Sequence, residues 1–355
     1  MRFAYLPYDW SRFLWAVTYG VRKNRIFTVV YEQHFGFSEK PFSLLPDPAF
    51  LYLGRQHSLA YSLLEYGVLN HAGFTVVTGE VGCGKTTLIR HLLNHLDEEV
   101  TVGLISNTHK RFADVLAWVL MAFGLDYESG GPVRQYQTFV DFLVTEYTHG
   151  RRVVLIVDEA QNLDASALEE LRVLSNVNAD KDQVIQLVLV GQPELKTTLE
   201  DPDLRQLAQR VVAHYYLLPL SENETAHYIR HRLVHAGGSP NLFTDEACQQ
   251  VHYYAAGVPR LINLLADTAL VYGFAEDAQE IGADLVQSVI DERAAGMNLG
   301  SPPVLSPVTE QQAAAVDPKP QPSVSGDSPS NDGVGCNPSN SRPLVSHVGG
   351  KMPRR

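Results

Sequence analysis

The sequence predicts an α/β fold in which helices sandwich a parallel β-sheet core and a smaller, all-helical part follows. Three observations carry this prediction. Apolar runs typical of buried strands alternate with segments of helical periodicity. A glycine-rich turn joins the first of these core strands to a helix, a context that favours phosphate binding. Beyond Pro219 the apolar runs stop and only helical patterns remain.

The glycine-rich turn follows a predicted strand, Phe74–Thr78, and has the pattern G-x-x-x-x-G-K-[ST]. Glycines allow successive backbone N–H groups to point into one concavity, and the N-terminus of the next helix adds partial positive charge. We expect Lys85 to reach the β- and γ-phosphates of a nucleotide and Thr86 to ligate Mg²⁺. An ordinary glycine-rich turn would have no need of Lys-Thr at its end. The predicted nucleotide-binding residues are Gly79, Glu80, Val81, Gly82, Cys83, Gly84, Lys85, Thr86 and Thr87.

Further buried strands are predicted at Val100–Ile105, Val153–Val157, Val184–Val190 and Val211–Leu218. Their apolar runs, several of them rich in β-branched residues, are typical of strands that are covered on both faces. Helical patterns lie between them. Strands that alternate with helices in this way form a parallel sheet, and ligands bind at the carboxyl ends of its strands.

Two carboxylates, Asp158 and Glu159, directly follow the predicted strand Val153–Val157. An acidic pair in this position, downstream of a phosphate loop, is typical of hydrolytic nucleotide-binding proteins. We expect Asp158 to hold Mg²⁺ through its water shell and Glu159 to orient and deprotonate the attacking water. The alternative is a pair of solvated carboxylates at a strand end. Hydrolysis, as opposed to binding alone, depends on Glu159.

Three more polar residues are candidates for the site. Gln192 ends a neighbouring strand, where it can contact the γ-phosphate or the water, or can simply begin a turn before Pro193. Arg205 and Arg210 lie on a short predicted helix before the last strand. An arginine there can project into the nucleotide site of the next subunit and stabilise transition-state charge, and of the two we favour Arg210. A surface role or compensation of the helix C-terminus is the alternative.

The region after Pro219 begins with Ser221-Glu222-Asn223-Glu224, a capping box that opens a helix running to Gly237. Helices are also predicted over Asp245–Ala255, Arg260–Phe274 and Ala283–Ala295. Arg260, at the start of one of them, can reach back over the phosphates and report nucleotide state as a domain rotation.

The composition of the chain argues against some classes of function. Net charge is -12, with 28 Lys and Arg against 40 Asp and Glu, which argues against broad nucleic-acid binding. The three widely spaced cysteines indicate a reducing compartment without a disulfide framework. Of these, Cys83 lies in the phosphate loop, so we expect its alkylation to block nucleotide entry. The sequence holds no apolar run of about 18 residues, so we expect no transmembrane helix.

We divide the chain into an N-terminal extension over 1–30, a nucleotide-binding core over 31–218, a helical lid over 219–296 and a tail over 297–355. The extension has apolar residues at helical spacing, which fits a membrane-surface helix or a segment with no folded role, and we prefer the latter. The tail contains ten of the twenty prolines and is predicted to be disordered.

These motifs, in this order, resemble the AAA+ ATPases of the general secretion pathway protein A (ExeA-like) family, which has relatives in pilus biogenesis and exopolysaccharide or exosortase loci. The resemblance covers roughly Tyr31 to Asp291. The segments that carry it are Tyr31–Phe37, Pro41-Phe42, Pro46-Asp47-Pro48, the phosphate loop, Asp158–Asn162, Gly191–Leu195 and Gly257–Arg260.

The resemblance implies a RecA-like core with a helical lid, ATP and Mg²⁺ as cofactors, ATP hydrolysis, and assembly into a ring or another oligomer through an arginine finger. It also implies that Gln192 is the sensor of the core and Arg260 the sensor of the lid. Envelope secretion or pilus assembly proteins are the expected partners. The expected location is the cytoplasm, including the periphery of the inner membrane.

Two departures from the family pattern lead to further expectations. Family members begin at the equivalent of Tyr31, so we expect residues 1–29 to be absent from the native protein. Secretion-type members add a transmembrane helix and a peptidoglycan-binding domain after the ATPase, and this sequence shows neither. A DNA-binding, transposition-type regulatory ATPase is the alternative function, and a nucleotide-gated scaffold with negligible turnover is a third.

Overall fold

Parallel strands form the central sheet of the computed structural model. In chain order the strands are β1 (Phe74–Gly79), β2 (Val100–Ile105), β3 (Arg152–Val157), β4 (Asn178–Ala179), β5 (Asp182–Gln183), β6 (Ile185–Gly191) and β7 (Val211–Leu217). Within the part of the chain that the structure describes, five of them pair side by side in the order β2-β3-β6-β1-β7, and β4 and β5 form a short antiparallel hairpin. The described residues are 31–69, 73–97, 99–106, 114–179 and 182–296.

Helices cover both faces of the sheet. The helices are α1 (Glu32–Phe35), α2 (Arg55–Leu69), α3 (Lys85–His95), α4 (Val115–Ala122), α5 (Gly131–Thr148), α6 (Ala165–Leu174), α7 (Glu194–Leu199), α8 (Arg205–Ala208), α9 (Glu222–His235), α10 (Asp245–Ala255), α11 (Pro259–Ala275) and α12 (Ala283–Gly296). Alternate residues of a strand point to opposite faces. In β3, Leu155 packs into one layer with α4, α5 and α6, whereas Val154 and Ile156 pack into the other with α2 and α3. The predicted α/β sandwich is confirmed.

Local chemistry explains where several helices begin. The side chain of Asp164 accepts a hydrogen bond from Ala167 N and starts α6. In α9 the predicted capping box is complete: the Ser221 hydroxyl accepts from Glu224 N, and the Glu224 carboxylate accepts from Ser221 N. Each cap satisfies backbone N–H groups that the first turn of a helix leaves unpaired.

The segment before α2 packs with the helices that follow β7, not with the sheet. Its aromatic side chains Tyr31, Phe37, Phe42 and Phe50 are buried in the same hydrophobic core as α9 to α12. The phenol of Tyr31 donates a hydrogen bond to Asp267 on α11. A boundary at residue 218 would assign this segment to the core, although it packs with the helices of the lid. The proposed division into core and lid stays a prediction.

The extension over 1–30 and the tail over 297–355 lie outside the described residues, so the expectations for them stay as stated above. None of the described helices combines the length and the apolar character that crossing a bilayer requires.

A steric constraint at Gly257 gives the first prediction. Its φ is +72°, and a Cβ added there would lie 2.0 Å from Leu220 O. We expect Gly257→Ala to lower the free energy of unfolding by about 2 kcal/mol or more, since left-handed strain and a backbone clash act together. The matched control is Gly282→Ala, because an added Cβ there meets no atom within 4 Å. Equal urea midpoints for the two variants would contradict this account.

Candidate nucleotide-binding site

The phosphate loop adopts the conformation that its glycines allow. Gly82 and Gly84 have φ values of +85° and +94°, and α3 begins directly after Gly84. The ammonium of Lys85 donates to Gly79 O at 2.7 Å and to Glu80 O at 2.9 Å, and its side chain is buried. Burial lowers the pKa of Lys85, while nearby carboxylates act in the opposite direction. A cation held only by carbonyl oxygens at a helix N-terminus suits an incoming phosphate.

Thr86 and Asp158 meet at the carboxyl end of the sheet. The Thr86 hydroxyl donates to Asp158 Oδ2 at 2.9 Å, and Asp158 Oδ1 accepts from Glu159 N at 2.9 Å. Burial raises the pKa of Asp158, partly offset by these hydrogen bonds. A buried carboxylate beside a hydroxyl is the oxygen donor set that Mg²⁺ prefers, so these residues fit the expected metal. Its binding there remains a prediction.

Glu159 has an unusual backbone conformation, and two glutamines bind its side-chain carboxylate. Its φ is +56°, a left-handed value that is uncommon for a residue with a side chain. Its Oε2 accepts hydrogen bonds from Gln161 Nε2 at 2.6 Å and from Gln192 Nε2 at 3.2 Å. Gln161 Oε1 in turn accepts from Gln192 N at 3.0 Å. The structure therefore places the side chain of Gln192 in contact with the carboxylate of Glu159, as expected if both residues belong to one site at this edge of the sheet.

Sequence analysis missed the role of Gln161 in this network. The signal was its place two residues after Glu159, within a short turn that returns the chain to the sheet edge. A Gln there can donate to one residue and accept from another, because its amide carries both groups.

The three candidate arginines lie in different surroundings. Arg260 lies at the start of α11, where its backbone N donates to Gly82 O at 3.2 Å and its side chain lines the same cavity as Thr86 and Gln192. Arg205 is exposed on α8. Arg210 lies beyond α8, contrary to the prediction of a helix reaching it, and donates to the Ser175 hydroxyl at 3.0 Å. That contact weakens our preference for Arg210 over Arg205.

One cavity opens in front of the phosphate loop. Its floor is formed by residues of the loop and of α3, together with Glu159 and Gln192. Its far wall is formed by the segment Ser43–Tyr52 and by residues of α9 and α11. Arg205 and Arg210 do not line it. A nucleotide with its phosphates on the loop would extend towards that wall.

Cys83 lies beneath the loop with its side chain in the core, whereas His57 contacts the loop backbone and also lines the cavity. Cys83 is fully buried, and burial raises the pKa of its thiol to about 11. The imidazole of His57 donates through Nε2 to Cys83 O at 2.9 Å, and burial lowers its pKa, so the ring is neutral. Cys83 does not line the cavity, because the backbone of the loop turns its side chain into the core, and the expectation that its alkylation blocks nucleotide entry stays a prediction.

The fold and the site define the class of protein. A parallel sheet of this order, with a phosphate loop after β1 and an acidic pair after β3, is that of P-loop NTPases, and residues 68–199 match the model of the AAA domain family. The chain is similar to General secretion pathway protein A of Aeromonas hydrophila, with 43% identity over 253 residues. That match covers 71% of this chain and 46% of the relative, so the chain spans less than half of the relative's length. The family resemblance predicted from the motifs is confirmed.

Solved structures agree on the fold. The Aeropyrum pernix ORC2 protein, solved as ADPNP-ADP complexes, is 18% identical, with a TM-score of 0.54 over 72% of each chain. CDC6P from Pyrobaculum aerophilum is 17% identical, with a TM-score of 0.53 over 74% of this chain and 70% of that one. At such low identity these likenesses establish the fold alone.

The burial of Cys83 gives a prediction about its reactivity. Only the thiolate reacts with iodoacetamide, and a pKa near 11 leaves a very small thiolate fraction at pH 7.5. We expect Cys83 to be alkylated at least ~100-fold more slowly in the native protein than in denaturant, with or without nucleotide. Peptide mapping by mass spectrometry measures this rate, and rapid native labelling would contradict the burial.

Proposed function

We propose that this chain binds ATP with Mg²⁺, hydrolyses it, and uses the turnover to assemble or remodel an envelope secretion, pilus or polysaccharide-export apparatus. The observation that carries the hydrolytic part is the meeting of the phosphate loop with Asp158 and Glu159 at one sheet edge. The coupling to an export apparatus rests on similarity to General secretion pathway protein A and is the less direct part.

Each residue has a defined task in this proposal. Lys85 leaves its loop carbonyls and binds the β- and γ-phosphates. Thr86 and Asp158 hold the metal, which, when bound, neutralises negative charge on the phosphate oxygens. Glu159 accepts a proton from the attacking water. Gln161 and Gln192 limit where the Glu159 carboxylate can point, so the water is oriented towards the γ-phosphate.

The proposed lid role of the helices after β7 is supported by two backbone contacts. Arg260 N donates to Gly82 O, and Leu220 N donates to Gly257 O at 2.9 Å. A change in the loop on phosphate binding is therefore passed directly to α11. Movement of the helical part with nucleotide state would be the output that a partner protein reads.

The first test of hydrolysis uses three variants. We expect Glu159→Gln to keep ATP affinity and lower kcat by at least ~10²-fold, because it removes the base and leaves the phosphate loop intact. We expect Lys85→Ala to lose ATP affinity, since it removes the charge that holds the phosphates. Exposed Glu200→Gln is the matched control and should behave as wild type. Phosphate release and ATP binding, both measured with Mg²⁺, give the two readouts.

Normal hydrolysis by Glu159→Gln would remove this residue from the role of base. The same assay with duplex DNA, at a stated salt concentration, tests the alternative, DNA-binding function. Strong stimulation by DNA would favour a transposition-type regulatory ATPase, whereas no response fits the export assignment and the acidic composition.

A second test concerns an arginine supplied by a neighbouring subunit. Exposure of Arg205 supports this residue, because Arg210 is already bonded to Ser175. We expect Arg205→Ala and Glu159→Gln to be inactive separately and to regain activity when mixed. In a random 1:1 assembly roughly a quarter of the interfaces would join an intact Glu159 to an intact Arg205. No recovery on mixing, or recovery only with Arg210→Ala as the partner variant, would rule out Arg205.

A further inference from the structure

A buried arginine lies at the far wall of the cavity without a carboxylate partner. Arg232, on α9, is 6% exposed, and no carboxylate of the described residues lies within ion-pair distance of it. Its guanidinium donates to Pro41 O, to Tyr228 Oη at 2.9 Å and to Ser43 O at 3.4 Å, and lies 4.7 Å from the centre of the Phe50 ring. Burying an unpaired charge is costly, so its retention at a cavity wall calls for a role.

The hydrogen bonds that begin at Arg232 have fixed directions. A guanidinium can only donate, so the Tyr228 oxygen accepts from it. Burial raises the pKa of Tyr228, which therefore keeps its proton and donates it to Asn263 Oδ1 at 2.8 Å. The Asn263 amide nitrogen must then point the other way, and it donates to Ser43 O at 3.4 Å. We call Arg232, Tyr228 and Asn263 the orienting chain.

The orienting chain lines the cavity that the phosphate loop also lines. A nucleotide with its phosphates on the loop would direct its base towards these residues, because the cavity extends from the loop to them. The Asn263 amide keeps one N–H and one oxygen lone pair beyond those already used. A donor beside an acceptor on one amide matches the acceptor and donor that adenine presents along its edge.

Orientation decides whether such an amide discriminates between bases. An asparagine that is free to flip offers its donor and acceptor in either order and can serve adenine or guanine. In this structure a flip would turn the Asn263 nitrogen towards the Tyr228 hydroxyl, whose oxygen already accepts from Arg232, and would place the carbonyl against Ser43 O. The amide would lose both of these contacts: the Tyr228 hydroxyl would lose its acceptor, and the Asn263 oxygen would face Ser43 O, which keeps its hydrogen bond from Arg232.

We propose that Asn263 is the base-specificity residue of this cavity and selects adenine, and that Arg232 and Tyr228 are positioning residues that fix the orientation of its amide. This inference rests on the proposed nucleotide function and adds the residue that chooses the base. The proposal accounts for the buried guanidinium of Arg232. Because this group can only donate, it fixes the direction of the hydrogen bonds that Tyr228 and Asn263 make.

The test measures affinities of the full chain, with Mg²⁺, for ATP, GTP and inorganic tripolyphosphate. We expect wild type to prefer ATP over GTP by at least ~10-fold. Asn263→Asp replaces the amide N–H with a carboxylate oxygen, so the ATP-to-GTP affinity ratio should fall at least ~10-fold. Repulsion of the triphosphate by the added charge acts equally on ATP and GTP and cancels in this ratio. Tyr228→Phe frees the amide to flip, so the ATP-to-GTP ratio should also fall, with KM for ATP raised and kcat preserved.

Matched controls carry the same changes outside the cavity. Asn223→Asp and Tyr253→Phe alter exposed side chains on α9 and α10 and should keep the wild-type ratio. If both cavity variants fold and retain the wild-type ATP-to-GTP ratio, the inference is overturned while nucleotide binding stands. If wild type binds neither ATP nor tripolyphosphate, the proposed function itself fails. Should Asn263→Asp not fold, the Tyr228→Phe ratio alone decides.

Discussion

Parallel pairing of β1 with β6 on one side and β7 on the other is the constraint on which the site depends. Thr78 is opposite both Gly191 and Tyr216, and Val157 at the end of β3 is opposite Leu189. Because the strands are parallel and in register, their carboxyl ends lie at one edge. The phosphate loop, the acidic pair and Gln192 leave three different strands at that edge, so residues distant in sequence become neighbours without long side chains having to reach. A shift of one residue in this register would turn every side chain of a strand to the opposite face of the sheet and separate the groups.

Much of this could be predicted from the sequence because the signals are local. The strand over Val100–Ile105 and the helix over Asp245–Ala255 have the predicted bounds, since hydrophobic runs and caps act within a few residues. The capping box at Ser221 also forms as predicted. The phosphate loop is recognisable for the same reason, because one short segment contains both the backbone geometry and the charge.

Contacts between distant segments could not be predicted in this way. Nothing in the sequence around Tyr31 indicated that its side chain would bond to Asp267. The direction in which a loop side chain points could not be predicted either. Cys83 and Lys85 belong to the same loop, but the side chain of Cys83 points into the core. The hydrogen bond of Arg210 to Ser175 and the bridge made by Gln161 are of the same kind. In each case the contact was set by the packing of segments that are distant in sequence, and the spacing of residues along the chain does not record it.

The two buried cations of the cavity are stabilised in opposite ways, and this difference bears on how the site works. Lys85 lies among the carboxylates of Glu80, Asp158 and Glu159, which oppose the effect of burial on its pKa. In the proposed function, Mg²⁺ would offset the negative charge that these carboxylates and the phosphates share. Arg232 has only carbonyl oxygens, a hydroxyl and aromatic rings around it, so its charge is not cancelled by any carboxylate among the described residues. In the proposed site, the ligand and its metal would change the charge around Lys85, whereas the charge of Arg232 would stay constant and hold neighbouring polar groups in a single arrangement. Such a division suits a site in which the phosphates change during turnover and the base does not.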